Sequence, residues 1–418
     1  MVTYVKTRKF VALSGFSFLC IFFQLVSTGC KESYRPTTLL QSQYIYYEPD
    51  YNKIGLKATR DSLHFSLPDD FYHLINSFNV FQDGGTTYAA FLNKMSHSIC
   101  IYNVKTGNLE RRIYLHDSLV GKKMNNVTTY CWKLDTILTA TRHGLYVMDS
   151  SGAIKSSIKL LEEKGRKHLG SDFLSSLFQT RLDNTAPPFF DGDILYSSIR
   201  PAYATSRSLS AQQNLRLVYC FNKKEEKPSL IYSFPKVYQE GYFGYYYLNF
   251  SYCINEKREF VMSFSADPNM YVTDLVDTSR SFWGRSQQQV ADIKPFAGEV
   301  VEDRREEGDH YAKSGRYGPV FYDQAHKRYL RLFTTGSSRI RQDRQDTTKA
   351  ASKGYVLIFD DSFRIIGESE LPSGISFVQL FITPEGAIYT RTNYNDEKAI
   401  HFVRLEYVDE RRTNLTEK

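Results

Sequence analysis

The sequence predicts an all-β protein folded as a β-propeller, six-bladed by count, and three observations lead there. Its 418 residues include 31 tyrosines and 29 phenylalanines, mostly in short runs where apolar and polar residues alternate with the two-residue period of a strand. A hairpin of one grammar recurs: apolar residues reach an Asn or Asp, a few small or polar residues reverse the chain, and a β-rich run departs. Several-stranded units return at a spacing of roughly forty to fifty residues, the signature of propeller blades. Seven blades, or a stacked pair of β-sandwiches, are the alternatives.

The chain opens with an address rather than with fold. Lys6, Arg8 and Lys9 precede the apolar run Phe10 to Val26, and Ser27-Thr28-Gly29 leads into Cys30. This resembles the signal of bacterial lipoproteins, which implies cleavage after Gly29 and lipid attachment at Cys30. Ser27 departs from the aliphatic residue usual three positions before the cysteine. An uncleaved membrane anchor is the rival, but that needs about twenty apolar residues, and Ser14, Gly15, Ser17 and Gln24 interrupt this run. Two or more acyl chains hold a protein stably to a bilayer. Residues 1–29 are thus expected to be a signal peptide, 30–43 a lipidated tether, and 44–418 a single propeller domain with no internal linker.

The strands are read in order from Ser98-Ile-Cys-Ile-Tyr102, Leu134 to Thr141, Leu215 to Tyr219, Phe260 to Phe264, Tyr329 to Phe333, Tyr355 to Phe359 and Ile400 to Leu405. The hairpins are Asn103 to Leu109 through Gly107, Asp149 to Ile154 through Gly152, and Asp360 to Ile365; an Asx side chain caps such a turn while Gly takes a positive φ. Pro384-Glu385-Gly386 marks a related turn. The units span approximately 71–115, 124–160, 185–235, 242–284, 316–372 and 374–408. The stretch Tyr44 to Leu67 is expected to lend a strand to the last blade, closing the ring and removing an edge. Arg200 to Asn214, Arg285 to Arg316 and Gly336 to Lys353 interrupt the rhythm as long polar surface excursions. Ser156 to Phe178 is expected to hold one or two short helices.

Cys100, Cys131, Cys220 and Cys253 lie far apart in apolar runs, and Cys20 would leave with the signal. Buried thiols are expected, with disulfides as the alternative in an exported compartment.

Taken whole, the chain resembles a family of Bacteroidetes lipoproteins known as a domain of unknown function of the 4221 type. The resemblance rests on the Cys30 signal, on Tyr317-Gly-Pro-Val-Phe-Tyr-Asp323 followed by Lys327 to Phe333, on Gly354 to Asp360 through Glu370-Leu-Pro372, and on Ile382 to Tyr389. It implies a propeller-like fold and brings no catalytic residues.

No constellation announces a reaction. The formal charge of +7 falls to +4 once residues 1–29 are removed, too mild and unclustered to point to nucleic acid. The nine histidines form no close sequence pair, Asp191-Gly192-Asp193 lacks the remaining ligands of a calcium loop, and neither a Gly-x-Ser-x-Gly elbow nor a phosphate-binding glycine loop is present. No catalytic, metal or cofactor residue is therefore assigned. Glu302-Asp303 and Glu306-Glu307 read as a solvated, charge-mixed loop, as does Ser337 to Arg344. The run Tyr242-Phe-Gly-Tyr-Tyr-Tyr247 is the most tempting element. Tyr242, Tyr245 and Tyr246 are the candidate binding residues, since tyrosine faces stack on sugars or peptides, although alternation along a blade strand would bury half the rings.

The expected function is an envelope-anchored lipoprotein, at the outer membrane on its periplasmic or outer face, whose propeller binds an unidentified protein or glycan. The alternative is a propeller hydrolase or lyase acting on carbohydrate or a lactone at the central channel. Converging carboxylates or a bound ion on the axis would favour the enzyme, and a plugged channel the binder. The oligomeric state is not legible.

Overall fold

The computed structural model describes residues 39–71, 75–116, 127–141, 144–159, 178–201, 206–274, 278–301, 303–337, 352–373, 375, 379–392 and 395–409. The signal and lipid positions Gly29 and Cys30, the helices expected between Ser156 and Phe178 from residue 160 onward, and the Ser337 to Arg344 stretch beyond Ser337 lie outside them.

Two strands precede the first blade, β1 (Gln43–Ile45) and β2 (Ile54–Ser66). The first blade is β3 (Asn76–Asp83), β4 (Thr86–Asn93), β5 (Ser98–Asn103) and β6 (Leu109–Tyr114); the second is β7 (Thr128–Lys133), β8 (Thr136–Ala140), β9 (Gly144–Met148) and β10 (Ile154–Lys159). The third is β11 (Phe178–Arg181), β12 (Phe189–Asp191), β13 (Ile194–Pro201), β14 (Val218–Asn222) and β15 (Lys227–Ile231), with helix α1 (Leu209–Asn214) between β13 and β14. Helix α2 (Val237–Glu240) leads to the fourth blade, β16 (Phe250–Ile254), β17 (Phe260–Phe264), β18 (Met270–Thr273) and β19 (Ser279–Phe282). After helix α3 (Arg304–Lys313) come the fifth, β20 (Arg316–Asp323), β21 (Arg328–Thr334), β22 (Gly354–Phe359) and β23 (Ile365–Glu370), and the sixth, β24 (Leu380–Ile382), β25 (Ile388–Thr392) and β26 (Ala399–Asp409). Within each blade, neighbouring strands pair antiparallel. The six repeating units read from the sequence are the six blades.

The hairpin grammar is visible atom by atom. Asn103 Oδ1 accepts from the amides of Lys105 and Thr106 at 3.0 and 3.2 Å, Asp149 Oδ1 from Ser151 and Ala153 at 2.9 and 3.1 Å, and Asp360 Oδ1 from Ser362 and Arg364, both at 3.0 Å. Gly107 takes φ +75°, and a Cβ there would also lie 2.6 Å from His64 O of the last blade. The position therefore needs glycine for conformation and for close blade packing. Asn222 caps an equivalent turn through Lys224 and Glu225. That turn contains no glycine and was not legible as one.

Ring closure follows the expectation in one part and departs from it in another. β2 is the outer strand of the sixth blade, paired antiparallel with β26 from Ile54 opposite Asp409 to Ser66 opposite Ala399, with a bulge between Ala58 and Ser62. Tyr44 to Tyr47, in contrast, goes to the fourth blade, where β1 runs parallel to β19 and Trp283 N donates to Ile45 O at 3.2 Å. Between the two, Asp50 N donates to Ile365 O at 2.9 Å and Glu368 N to Tyr51 O at 3.0 Å. The N-terminal stretch therefore straps the outer edges of three consecutive blades, covering unpaired strand groups at each.

The packed interior is apolar and aromatic, with Phe65, Phe91, Tyr102 and Phe402 meeting at centroid distances of 4.9 to 5.8 Å. All four cysteines of the body are buried thiols. Burial pushes Cys100 up to about 11 and Cys131 up to about 12, which leaves both protonated and unreactive at neutral pH.

Candidate functional site

The centre of the ring is crossed by a tight turn from the third blade. Leu182 to Ala186 follows β11, and Asp183 Oδ1 accepts from the Thr185 amide and hydroxyl at 2.9 and 2.6 Å. This Asx-type geometry pushes Asn184 across the axis. Its amide donates to Phe78 O of the first blade at 3.0 Å, its Nδ2 to Leu380 O of the sixth at 2.6 Å, and Tyr252 N of the fourth donates to Thr185 O at 3.0 Å. Four blades thus meet on one turn, which plugs the channel. Asp183, the carboxylate in that plug, is held by Arg181 Nε as well as by Thr185. Desolvation pushes its pKa up, but the Arg181 charge and the Thr185 hydrogen bonds outweigh that and lower it.

Beside the plug lies a cavity of about 270 Å³ between the third, fourth and fifth blades, lined by Arg181, Arg200, Asn249, Phe250, Ser251, Ser263, Ser265, Tyr311, Arg316, Tyr317, Gly318, Pro319 and Thr334. Local backbone geometry opens it. The β20 strand bulges between Tyr317 and Val320 where Gly318 and Pro319 occur, and such a bulge interrupts the ladder and bends the strand. Ser251 Oγ then accepts from Val320 N at 3.1 Å, bridging the fourth and fifth blades across the irregularity.

Among the described residues the lining holds three arginines and no carboxylate. Arg181 is committed through Nε to Asp183, and Arg316 lies 4.8 Å from the centroid of the Tyr311 ring. Arg200 stands apart, because its Nε is buried and meets no acceptor among the described residues. Burial first and the like charge of Arg181 second pull it down to about 9, with Asp183, Tyr245 and Tyr311 opposing. A guanidinium remains charged at neutral pH, so the site carries a poorly solvated positive charge.

Of the candidate tyrosines, Tyr242 is buried, and its hydroxyl donates its one proton to Glu307 Oε1 at 2.6 Å, with Ser206 O also near it at 3.1 Å. Its ring lies 6.1 Å from that of Phe296, so it is part of the packed interior. Tyr245 and Tyr246 are half-buried and begin a 3₁₀ turn, Tyr245–Leu248, rather than a blade strand. Gly244 at φ +86° starts that turn. Tyr246 packs 5.7 Å from Tyr311, while Tyr245 contributes to the electrostatics of Arg200, so both neighbour the cavity.

The acidic run that reads as a solvated loop is, in its described part, the start of α3. Asp303 is its N-cap and accepts from Arg305 N at 2.7 Å, and Glu307 is buried beneath it against Tyr242 and the Tyr245 amide. Asp303 with Glu306 three residues on is a capping-box pattern, the signal that points to this helix and hence to Tyr311. The arginines of the cavity carry no sequence signal, being distributed over β11, β13 and β20.

Asp191-Gly192-Asp193 is the β12–β13 turn, and its carboxylates pair with Arg258 and Lys224, each at 2.6 Å. Strand register brings His64 opposite His401, rings 6.2 Å apart. No group of three His, Cys, Asp or Glu among the described residues is placed to hold a metal ion.

The chain was compared with known proteins. It aligns over 86% of its length and all of the other chain's with the crystal structure of a DUF4221 family member from Bacteroides vulgatus, at 20% identity and a TM-score of 0.69. Weaker likenesses include a protein from Bacteroides fragilis described as exported (9% identity, 88% of this chain and 100% of the other, TM-score 0.45) and a luciferin-regenerating enzyme (8% identity, 82% and 95%, TM-score 0.42). No curated protein matches the chain. The family model described as domain of unknown function DUF4221 matches residues 53–370, from the closing strand β2 to the end of the fifth blade, and the chain belongs to that family.

Proposed function

We propose that this protein is a bacterial envelope lipoprotein, cleaved after Gly29 and lipidated at Cys30, whose propeller is a binding module for a glycan or protein ligand. The observation that carries the binding part is the plugged axis beside a small cavity lined by three arginines and, among the described residues, no carboxylate. The Asn184–Thr185 turn joins four blades at the centre, so the channel offers a closed-ended recess, and recesses with a few converging polar groups are where small ligands or ligand tips bind. The half-buried Tyr246 and Tyr311 border that recess and supply faces for stacking.

The anchoring part rests on Lys6, Arg8, Lys9, the apolar run and Cys30. It is tested by metabolic labelling with an alkyne fatty acid. Wild type is expected to take up label and run as the shorter processed form, while Cys30→Ala remains unlabelled and unprocessed. Equal labelling of the two would remove the anchor. The binding part is tested by glycan-array and in-cell crosslinking capture with the folded protein and with a Tyr311→Ala variant. Capture that Tyr311→Ala leaves intact would move the binding surface away from the cavity.

A further inference from the structure

Charge inside a folded protein is ordinarily matched. A buried cation is paired, hydrogen-bonded or neutralised, because removing it from water without a partner is costly. The cavity beside the plug breaks this rule in one direction only. Arg181, Arg200 and Arg316 line it, no carboxylate among the described residues does, and the nearby Asp183 is already bound by Arg181 and Thr185. Arg200 Nε is buried and meets no acceptor among the described residues. These three arginines border open space of about 270 Å³, room for one sugar ring or a molecule of that size.

The remaining lining is polar in a particular way. Ser251 Oγ accepts from Val320 N, which leaves its hydroxyl proton to be donated. Asn249 Nδ2 is used by Tyr246 O at 2.7 Å, leaving its carbonyl oxygen to face a donor. A ligand meeting this surface therefore needs an oxyanion at one end, for the guanidinium groups, and hydroxyls that both give and accept hydrogen bonds at the other.

We infer that the cavity binds the acidic sugar of a glycan, with its oxyanion held by Arg200 alongside Arg181 and its hydroxyls turned toward Ser251 and Asn249. This rests on the proposed binding role and names the ligand class for that site. Carboxylate and sulfate share the recognising chemistry, since a planar guanidinium presents parallel donors to either, and the two sources are separated by the probes.

The test is calorimetric titration of the folded body with glucuronate, a monosaccharide sulfate, glucose, methyl glucuronate ester and inorganic sulfate, on wild type, Arg200→Gln and Arg200→Lys. Thermal unfolding is recorded for each variant. Glucuronate or the sugar sulfate is expected to bind wild type, the better of the two identifying the oxyanion. Glucose and the ester are expected to bind at least tenfold more weakly, and Arg200→Gln to lose at least tenfold in affinity while folding normally. Arg200→Lys should recover part of that loss, because it restores charge without the planar fork. Inorganic sulfate binding as tightly as the acidic sugars would overturn the sugar assignment. Glucose binding unaffected by Arg200→Gln would overturn the anion assignment while leaving a binding module at this cavity. No sugar binding, with crosslinked capture of an envelope partner equal in wild type and Arg200→Gln, would overturn this inference alone; loss of all capture would remove the binding role itself.

Discussion

Two arginines with desolvated guanidinium groups, Arg331 on the fifth blade and Arg200 on the third, flank the fourth blade and meet different surroundings. Arg331 on β21 is fully buried, and every nitrogen of its guanidinium has a carbonyl or hydroxyl partner. Nε donates to Ser263 Oγ at 2.9 Å, Nη2 to Asp267 O at 2.7 Å and Phe264 O at 3.4 Å, and Nη1 to Pro268 O and Gly284 O. The Tyr317 ring covers it, with the centroid 3.9 Å away. It staples the fifth blade to the fourth. Burial still pulls Arg331 down to about 10 and Arg200 to about 9, so desolvation alone does not distinguish them. The difference is what meets the guanidinium, because every nitrogen of Arg331 has an acceptor whereas Arg200 Nε has none among the described residues.

The largest expected effect breaks the staple. Arg331→Met strips donors from several buried carbonyls at once, and a loss on the order of 4 kcal/mol of unfolding free energy is expected, read as a lowered urea midpoint. An unchanged midpoint would refute the structural role. Arg200→Gln should go the other way, holding stability or raising it by on the order of 1 kcal/mol. A midpoint falling as far as that of Arg331→Met would show Arg200 to be structural too.

A pH measurement sharpens the contrast on the Arg331 side. Asp267 is buried where its carbonyl meets Arg331, and its carboxylate accepts from Tyr271 Oη at 2.7 Å and Asn269 N at 2.8 Å. Desolvation nevertheless raises its pKa. A carboxyl whose folded value is raised contributes stability that is fully present below the unfolded pKa and is lost as pH rises through the folded one. Relative to Asp267→Asn, wild type should therefore lose melting temperature as pH rises from the ordinary aspartate range through that raised value. A constant gap across the range would mean that Asp267 titrates normally.

The smallest effect supplies the baseline. Lys236 pairs with Glu240 at 3.3 Å with both side chains largely in water, so Lys236→Ala should cost about 0.3 kcal/mol or less. A larger shift in the same urea titration would undermine the ranking by burial and partners.

The repeat was readable because each blade reuses one local rule. Asn103, Asp149 and Asp360 cap their own turns within four residues, and period-two alternation marks the strands between them, so neither signal depends on distant partners. The destination of Tyr44 to Tyr47 was not readable. A three-residue strand pairs with any exposed edge that accepts it, and β1 found β19 some 240 residues away through a parallel register. The tyrosine run was misplaced on a strand because its composition suits either a strand or a turn, and Gly244 with its positive φ decided for the turn.

The sequence by itself determined the class, the number of repeating units and the closing strand β2, since all three are written in short-range pattern. Tertiary structure alone decided that Asn184 would plug the axis, that Arg331 would be saturated, and that Arg200 would face a cavity. The physical reason is that hydrogen-bond satisfaction of a buried charge is set by carbonyls and hydroxyls from other blades. Arg200 and Arg331 are the same residue type on similar strands, and only the ring brings the acceptors that saturate Arg331 and leaves Arg200 Nε without one among the described residues.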